Sequence, residues 1–258
     1  MKHHFLDQYS DRDSLVHRLD PRTKFLATLL FILLVSSLPF GAWPAFMLCF
    51  GLIAALTLFA RLPIGFVLKR SLVIVPFVLL ISLFIPFLKG GTIAGSYSIG
   101  LWQVSITYSG LEIMTNILIK SWLSILSLIV LTSTTRLPNL LKGLERLRLP
   151  RVLTMILSFM YRYLFILADE VMRMQQARDS RSFGPRRWSA IRTTGNMIGT
   201  LFIRSYERGE RVYQAMVARG FDGQSRTLDR LEFSRLDGYF GAGFGLVLAL
   251  AAMTNLWY

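Results

Sequence analysis

Two short segments of the chain close in the same manner. One reads Ala177-Arg178-Asp179-Ser180-Arg181-Ser182-Phe183-Gly184, the other Ala218-Arg219-Gly220-Phe221-Asp222-Gly223. Each follows an apolar run, and glycine follows each, joined by Pro185 in the first case, which is how helices commonly stop. Arginine in a last helical turn carries a planar fork of donors past the helix end, where it can grip a carboxylate in a partner's groove. The same placement also complements the helix dipole with no partner at all. Two such tips within one basic stretch, Arg136 to Arg235, favour docking over the dipole alone. The candidate residues are Ala177, Arg178, Asp179 and Arg181 at the first tip, and Ala218, Arg219 and Gly220 at the second.

Other chemistry is absent from the sequence. No phosphate-binding loop of the glycine, lysine and Ser/Thr type occurs, nor an HExxH pair, nor a GxSxG elbow. The only histidines are His3, His4 and His17, and a tail pair without a third ligand makes a poor metal site. Cys49 is the single cysteine, so no disulfide framework exists. Asp222, Asp229 and Asp237 do not converge in sequence, which argues against two-metal phosphotransfer chemistry. Glu112, Asn116 and Lys120 share a helical face at four-residue steps. Ionisable groups within a span are functional candidates, but with no second acidic site they read better as bundle stabilisers, with Lys120 paired to Glu112 or a neighbour.

The elements that must position the two tips follow from composition. Of 258 residues, 53% are hydrophobic and 17% charged, a balance that points to a membrane protein. The first twenty residues are polar and show no signal peptide. Asp20 and Pro21 start a helix whose apolar run, Phe25–Leu38, reaches spanning length only if its flanks are included and Lys24 snorkels. Trp43–Ala60, Ser71–Leu88 (bent or broken near Pro76 and Pro86), Leu111–Thr132 and Tyr239–Trp257 complete five spans. Arg61, Lys69 and Arg70 mark a basic loop, and within the Gly-, Ser- and Thr-rich connection Lys89–Gly110 the weakly alternating Tyr97–Ile106 reads as a hairpin or an irregular loop. Lys2, Arg12, Arg18, Arg22 and Lys24, the basic loop, and the Arg136–Arg235 stretch all fall on one side of five spans. The positive-inside rule then places the N-terminus and the basic lobe in the cytoplasm and the C-terminus outside.

Val152–Ala168 is apolar enough for a span, but Arg162 lies inside it, and crossing there would move Arg173–Arg235 outside. Arg151–Arg178 is therefore read as a long helix at the inner membrane surface. A shorter helix, Leu137–Arg148, precedes it. In the next helix, Trp188–Arg219, the residues Ile198, Leu201, Phe202, Ser205, Gly209, Val212, Met216 and Arg219 form a stripe at three- and four-residue steps. Ser205 and Gly209 remove bulk from that stripe and predict a close crossing with Arg151–Arg178. Gly241, Gly245 and Ala249 make a second small-residue face, on the last span. The expected fold is an all-α membrane protein with about five transmembrane helices and a cytoplasmic lobe of long helices. Its parts are 1–135, 136–238 and 239–258.

These features together resemble the transmembrane T component of energy-coupling-factor importers. The resemblance runs through Ser14-x-x-His17-x-Leu19-Asp20-Pro21-Arg22-x-Lys24, Leu140-Leu141-x-Gly143-Leu144-x-x-Leu147-x-Leu149-Pro150, Tyr161-Arg162-Tyr163, Asp169-Glu170-x-x-Arg173 and the two Ala-Arg tips. The first tip departs from Ala-Arg-Gly, and the Ala177–Gly184 segment looks most like the cobalt-type CbiQ family. The resemblance implies a non-catalytic subunit of the plasma (inner) membrane that links two ATP-binding cassette ATPases to a substrate-binding membrane subunit. Cobalt or nickel is the implied cargo. Arg178 and Arg219 would insert into the ATPases. This chain would bind no cofactor itself, ATP and magnesium being held by the ATPases. The competing classes are a membrane enzyme of lipid phosphotransfer type and a basic scaffold for anionic lipid or nucleic acid.

Overall fold

The computed structural model describes residues 14–88, 93–99, 102–181, 187–223 and 233–256. Their order is α1 Pro21–Ser37, α2 Trp43–Phe59, α3 Ile64–Ser82, α4 Ile85–Leu88, β1 Ile93–Ile99, β2 Trp102–Thr107, α5 Tyr108–Thr134, α6 Leu137–Arg146, α7 Arg151–Arg181, α8 Arg187–Ala218 and α9 Arg235–Leu256. The chain is an all-α membrane protein with one antiparallel hairpin, in which Ser96 faces Ser105 and Ile99 faces Trp102. Ile64–Ser82, Tyr108–Thr134, Arg151–Arg181 and Arg235–Thr254 are long and apolar enough to cross a membrane, and Trp43–Phe59 is a shorter apolar helix.

The chain separates into two compact units. One joins His4–Leu140 to Leu231–Tyr258, and the other is mainly Leu141–Arg230. In the first unit α5 packs on α1, α2, α3 and α4, while α9 packs on α1 and α2. Phe31, Val35, Ala45, Cys49, Ile53, Leu123, Leu126, Phe244 and Ala251 form its core. Gly110 is required where α5 meets α4, because a Cβ there would lie 2.5 Å from the Pro86 Cα.

Several expectations are corrected in this unit. α3 begins at Ile64, so Lys69 and Arg70 lie in its first turns rather than in a loop, and the helix continues through Pro76. It stops at Leu83, before Pro86. Lys24 does not snorkel: it is buried, and its Nζ donates to the carbonyls of His17 and Thr134, each at 3.1 Å. Lys120 reaches α1, not Glu112, and donates to the Ser36 carbonyl at 2.9 Å. It thereby satisfies a backbone acceptor in the last turn, where helix carbonyls lack partners. Gly241, Gly245 and Ala249 are exposed, since α9 buries the face of Asp237, Phe244, Leu248 and Ala251 instead. A Cβ on either glycine would meet nothing within 4 Å, so their small-residue face has no internal partner among the described residues.

In the second unit, α7 and α8 are 31 and 32 residues long, or about 46 and 48 Å at 1.5 Å per residue. They pack on each other, yet α7 buries only Thr154 and no described residue of α8 is buried. The half-buried face of α8 is Met197, Leu201, Ser205, Arg208, Val212 and Met216. The expected stripe is therefore split. Leu201, Ser205, Val212 and Met216 lie on the packed face, while Ile198 and Phe202 are 63% and 71% exposed. Gly209 is also exposed, with open space where a Cβ would stand. Ser205 thus faces the interior of this unit, but Gly209 marks no close crossing among the described residues.

Candidate coupling site

The second tip is built by the backbone. α8 ends at Ala218, and the Gly220 N–H donates to the Val217 carbonyl at 2.9 Å. The Phe221 N–H donates to the Met216 carbonyl at 3.0 Å, completing a Schellman stop. Gly220 takes φ +79°, a left-handed conformation that side-chain-bearing residues adopt at a cost of roughly 1–2 kcal/mol. Arg219 stands just before it and is exposed. Ala-Arg-Gly therefore encodes a helix end, an arginine at that end, and a chain reversal that clears the way for it. Gly220→Ala is expected to fray this end and weaken docking without unfolding the chain. Faster amide exchange at Arg219–Phe221 and a few-fold loss of partner capture would show it, and unchanged exchange would refute it.

The first tip differs. α7 continues to Arg181, so Arg178 lies within the last turn rather than beyond it. Its fork is already engaged: Nε and Nη2 donate to Oδ1 of Asp179 at 3.0 and 2.8 Å. The residue that departs from the Ala-Arg-Gly pattern is the one that occupies the arginine. Arg181 is exposed one turn on, and Ser182–Gly184 lie outside the described residues.

Short of both tips, a carboxylate on α7 reaches α8. Glu170 on α7 accepts from Arg173 Nη2 at 2.6 Å through Oε2, and from Arg204 Nη1 on α8 through Oε1. The hydrogen bond from Arg173, and then that from Arg204, hold the Glu170 carboxyl below the usual carboxylate range. A depressed carboxyl pKa gives a contribution that is complete above the unfolded value and fades as pH falls through the folded one. This tie is accordingly intact at neutral pH.

A second polar cluster, in the other unit, was not legible in sequence. Asp237 is 1% exposed, and its Oδ1 accepts the Asp20 N–H at 2.7 Å and the Thr23 hydroxyl at 3.2 Å. Its Oδ2 accepts the Ser234 N–H at 2.8 Å, while Ser234 Oγ accepts from the Leu236 N–H at 3.4 Å, a capping box for α9. Asp20 in turn caps α1 by accepting the Arg22 N–H at 2.9 Å. Ser14 Oγ lies 2.7 Å from His17 Nδ1, and Lys24 draws the His17 carbonyl to the end of α5. The N-terminal motif is thus a polar lock that positions α1, α5 and α9. Among the described residues no three His, Cys, Asp or Glu side chains gather as a metal site. His3, His4 and Asp229 lie outside those residues.

A bundle of apolar helices, joined in one chain to a unit of two long basic helices, defines a multi-pass membrane protein. A family profile described as the cobalt transport protein CbiQ matches residues 12–228. The energy-coupling factor transporter transmembrane protein EcfT of Listeria innocua is 31% identical over 270 aligned residues, covering 99% of this chain and 97% of the relative. The protein of the same description from Ruminiclostridium cellulolyticum is 28% identical, covering 90% of each. A fused cobalt transport protein, CbiMQ, of Methanocorpusculum labreanum is 30% identical over 52% of this chain and 22% of the relative. The chain belongs to the CbiQ family and is a transmembrane component of an energy-coupling-factor transporter.

Proposed function

We propose that this subunit, itself without catalytic activity, transmits ATP-driven motion from two ATP-binding cassette ATPases to a substrate-binding subunit in the plasma membrane. The observation that carries the reading is a pair of long helices with arginine tips, one tip exposed and the other held by its own neighbour. ATP and magnesium belong to the ATPases. Cobalt or nickel is the cargo, a choice supported by the CbiQ match and the description of the fused relative. The five spans are α1, α2, α3, α5 and α9. α7 stays at the inner surface because crossing would carry Arg162 into the bilayer and the later arginines outside. That places the N-terminus and both tips in the cytoplasm.

Two measurements test this. Purification of the chain after co-expression with the neighbouring transporter genes is expected to bring down two ATPases and one membrane subunit, and vesicles bearing the complex to take up labelled Co²⁺ with ATP. Single cysteines at Arg187 and Arg211, on a Cys49→Ser background, are expected to react with an impermeant reagent only after the membrane is opened. Absence of the ATPases, or labelling from outside, overturns the reading.

A further inference from the structure

We propose that Glu170 is the fulcrum of the two long helices: its carboxylate, gripped by Arg173 on α7 and Arg204 on α8, ties them at one point and lets their ends swing about it. This rests on the coupling function proposed above and names the residue on which the motion turns.

Helices that must move as one body interlock along their length, with side chains filling each other's grooves. α7 and α8 meet instead along a half-buried face, and Thr154 is the only fully buried residue described on either. Across that loosely buried contact runs an ion pair whose carboxylate is 15% exposed while both guanidiniums are more than half exposed. Each carboxylate oxygen takes one arginine. Arg173, three residues along the same helix, keeps the carboxylate aimed, and Arg204 supplies the bond between helices. An ionic contact of this kind tolerates rotation that an interdigitated one does not. The position also suits a lever. Arg219 lies about 22 Å along α8 from Arg204, and the start of α8 about 26 Å the other way, at 1.5 Å per residue. A displacement at the arginine tip therefore reappears at the opposite end with similar size and reversed direction.

Exposed ion pairs contribute little to stability. Loss of this one should leave folding and ATPase capture unchanged and should affect coupling alone. In the complete complex in vesicles, Glu170→Ala and Arg204→Ala are expected to hydrolyse ATP while Co²⁺ taken up per ATP falls about fivefold or more, the scale of a typical coupling energy. Glu170→Asp, which keeps the charge, should recover part of the loss. Glu170→Cys with Arg204→Cys, on a Cys49→Ser background, should be poorly coupled until a short bifunctional thiol reagent joins the pair, and then improve, because a fulcrum need not open. Unchanged uptake per ATP in Glu170→Ala overturns the proposal, as does a cross-link that stops uptake. If these variants couple normally with ATPases bound, the fulcrum alone falls. If the unaltered chain captures no ATPase, the coupling function falls and the fulcrum falls with it.

Discussion

Arg178→Ala combined with Arg219→Ala is expected to abolish capture of the ATPases and ATP-driven uptake while leaving the membrane helices folded. A charge-assisted hydrogen bond contributes roughly 1.5–3 kcal/mol, so each tip should account for about tenfold or more in affinity. The two tips should not be equal. Arg219 is exposed, so docking gives it a new contact. Arg178 must release Asp179, which already accepts from both sides of its fork, so docking there exchanges one ion pair for another. Arg219→Ala should thus be the more damaging single change. Lysine at either position should recover only part of the loss, since a point charge does not reproduce the planar fork. Pull-down of the ATPases with uptake in vesicles decides the matter. A double variant that keeps both functions would reduce the arginines to complements of the helix dipole.

Asp237→Ala should be the most destabilising single change in the membrane unit. The carboxylate is buried and accepts from the backbone of Asp20, the backbone of Ser234 and the hydroxyl of Thr23. Removing it strands the buried Asp20 N–H, undoes the cap on the Ser234 N–H and takes an anion from a cluster that contains the buried Lys24. Breaking such a charged network costs about 3–5 kcal/mol, which lowers the unfolding midpoint of a chain this size by on the order of 10 °C. Asp237→Asn keeps the shape and one acceptor oxygen and should cost less. Thermal unfolding of the detergent-solubilised protein measures both. A midpoint for Asp237→Ala within a degree or two of the parent would show that the cluster contributes nothing to stability.

These two expectations differ in how far the sequence discloses them. The tips are legible because a helix end is a local event: Gly220 must follow Arg219 for the chain to turn as it does, and both residues are adjacent. The caps at Asp20 and Pro21 and the length of α8 are legible for the same reason, whereas the segment before α5 reads equally as a hairpin or an irregular loop until its strands are seen to pair. In sequence Asp222, Asp229 and Asp237 do not converge and suggest no shared site, yet Asp237 meets Asp20 in space. Sequence suggests a snorkelling Lys24 and a Lys120 paired with Glu112 or a neighbour, because a lysine's spacing reveals its own helix but not the carbonyl of another. Gly209 is expected at a close crossing and stands instead in the open, as Gly241 and Gly245 do, because composition cannot say whether a small face looks inward. Arg204 lies off the apolar stripe of α8, and only its contact with Glu170 gives it a role.

The lock between Asp20 and Asp237 also bears on how the protein is made. The two residues stand 217 positions apart, and the carboxylate belongs to the last helix. Chains are synthesised from the N-terminus, and early segments fold before late ones emerge. Until α9 has been translated, the Asp20 N–H lacks its carboxylate partner. A truncated or stalled chain lacking α9 therefore carries an open polar seam at the start of α1, with the Asp20 N–H waiting for a carboxylate that arrives last.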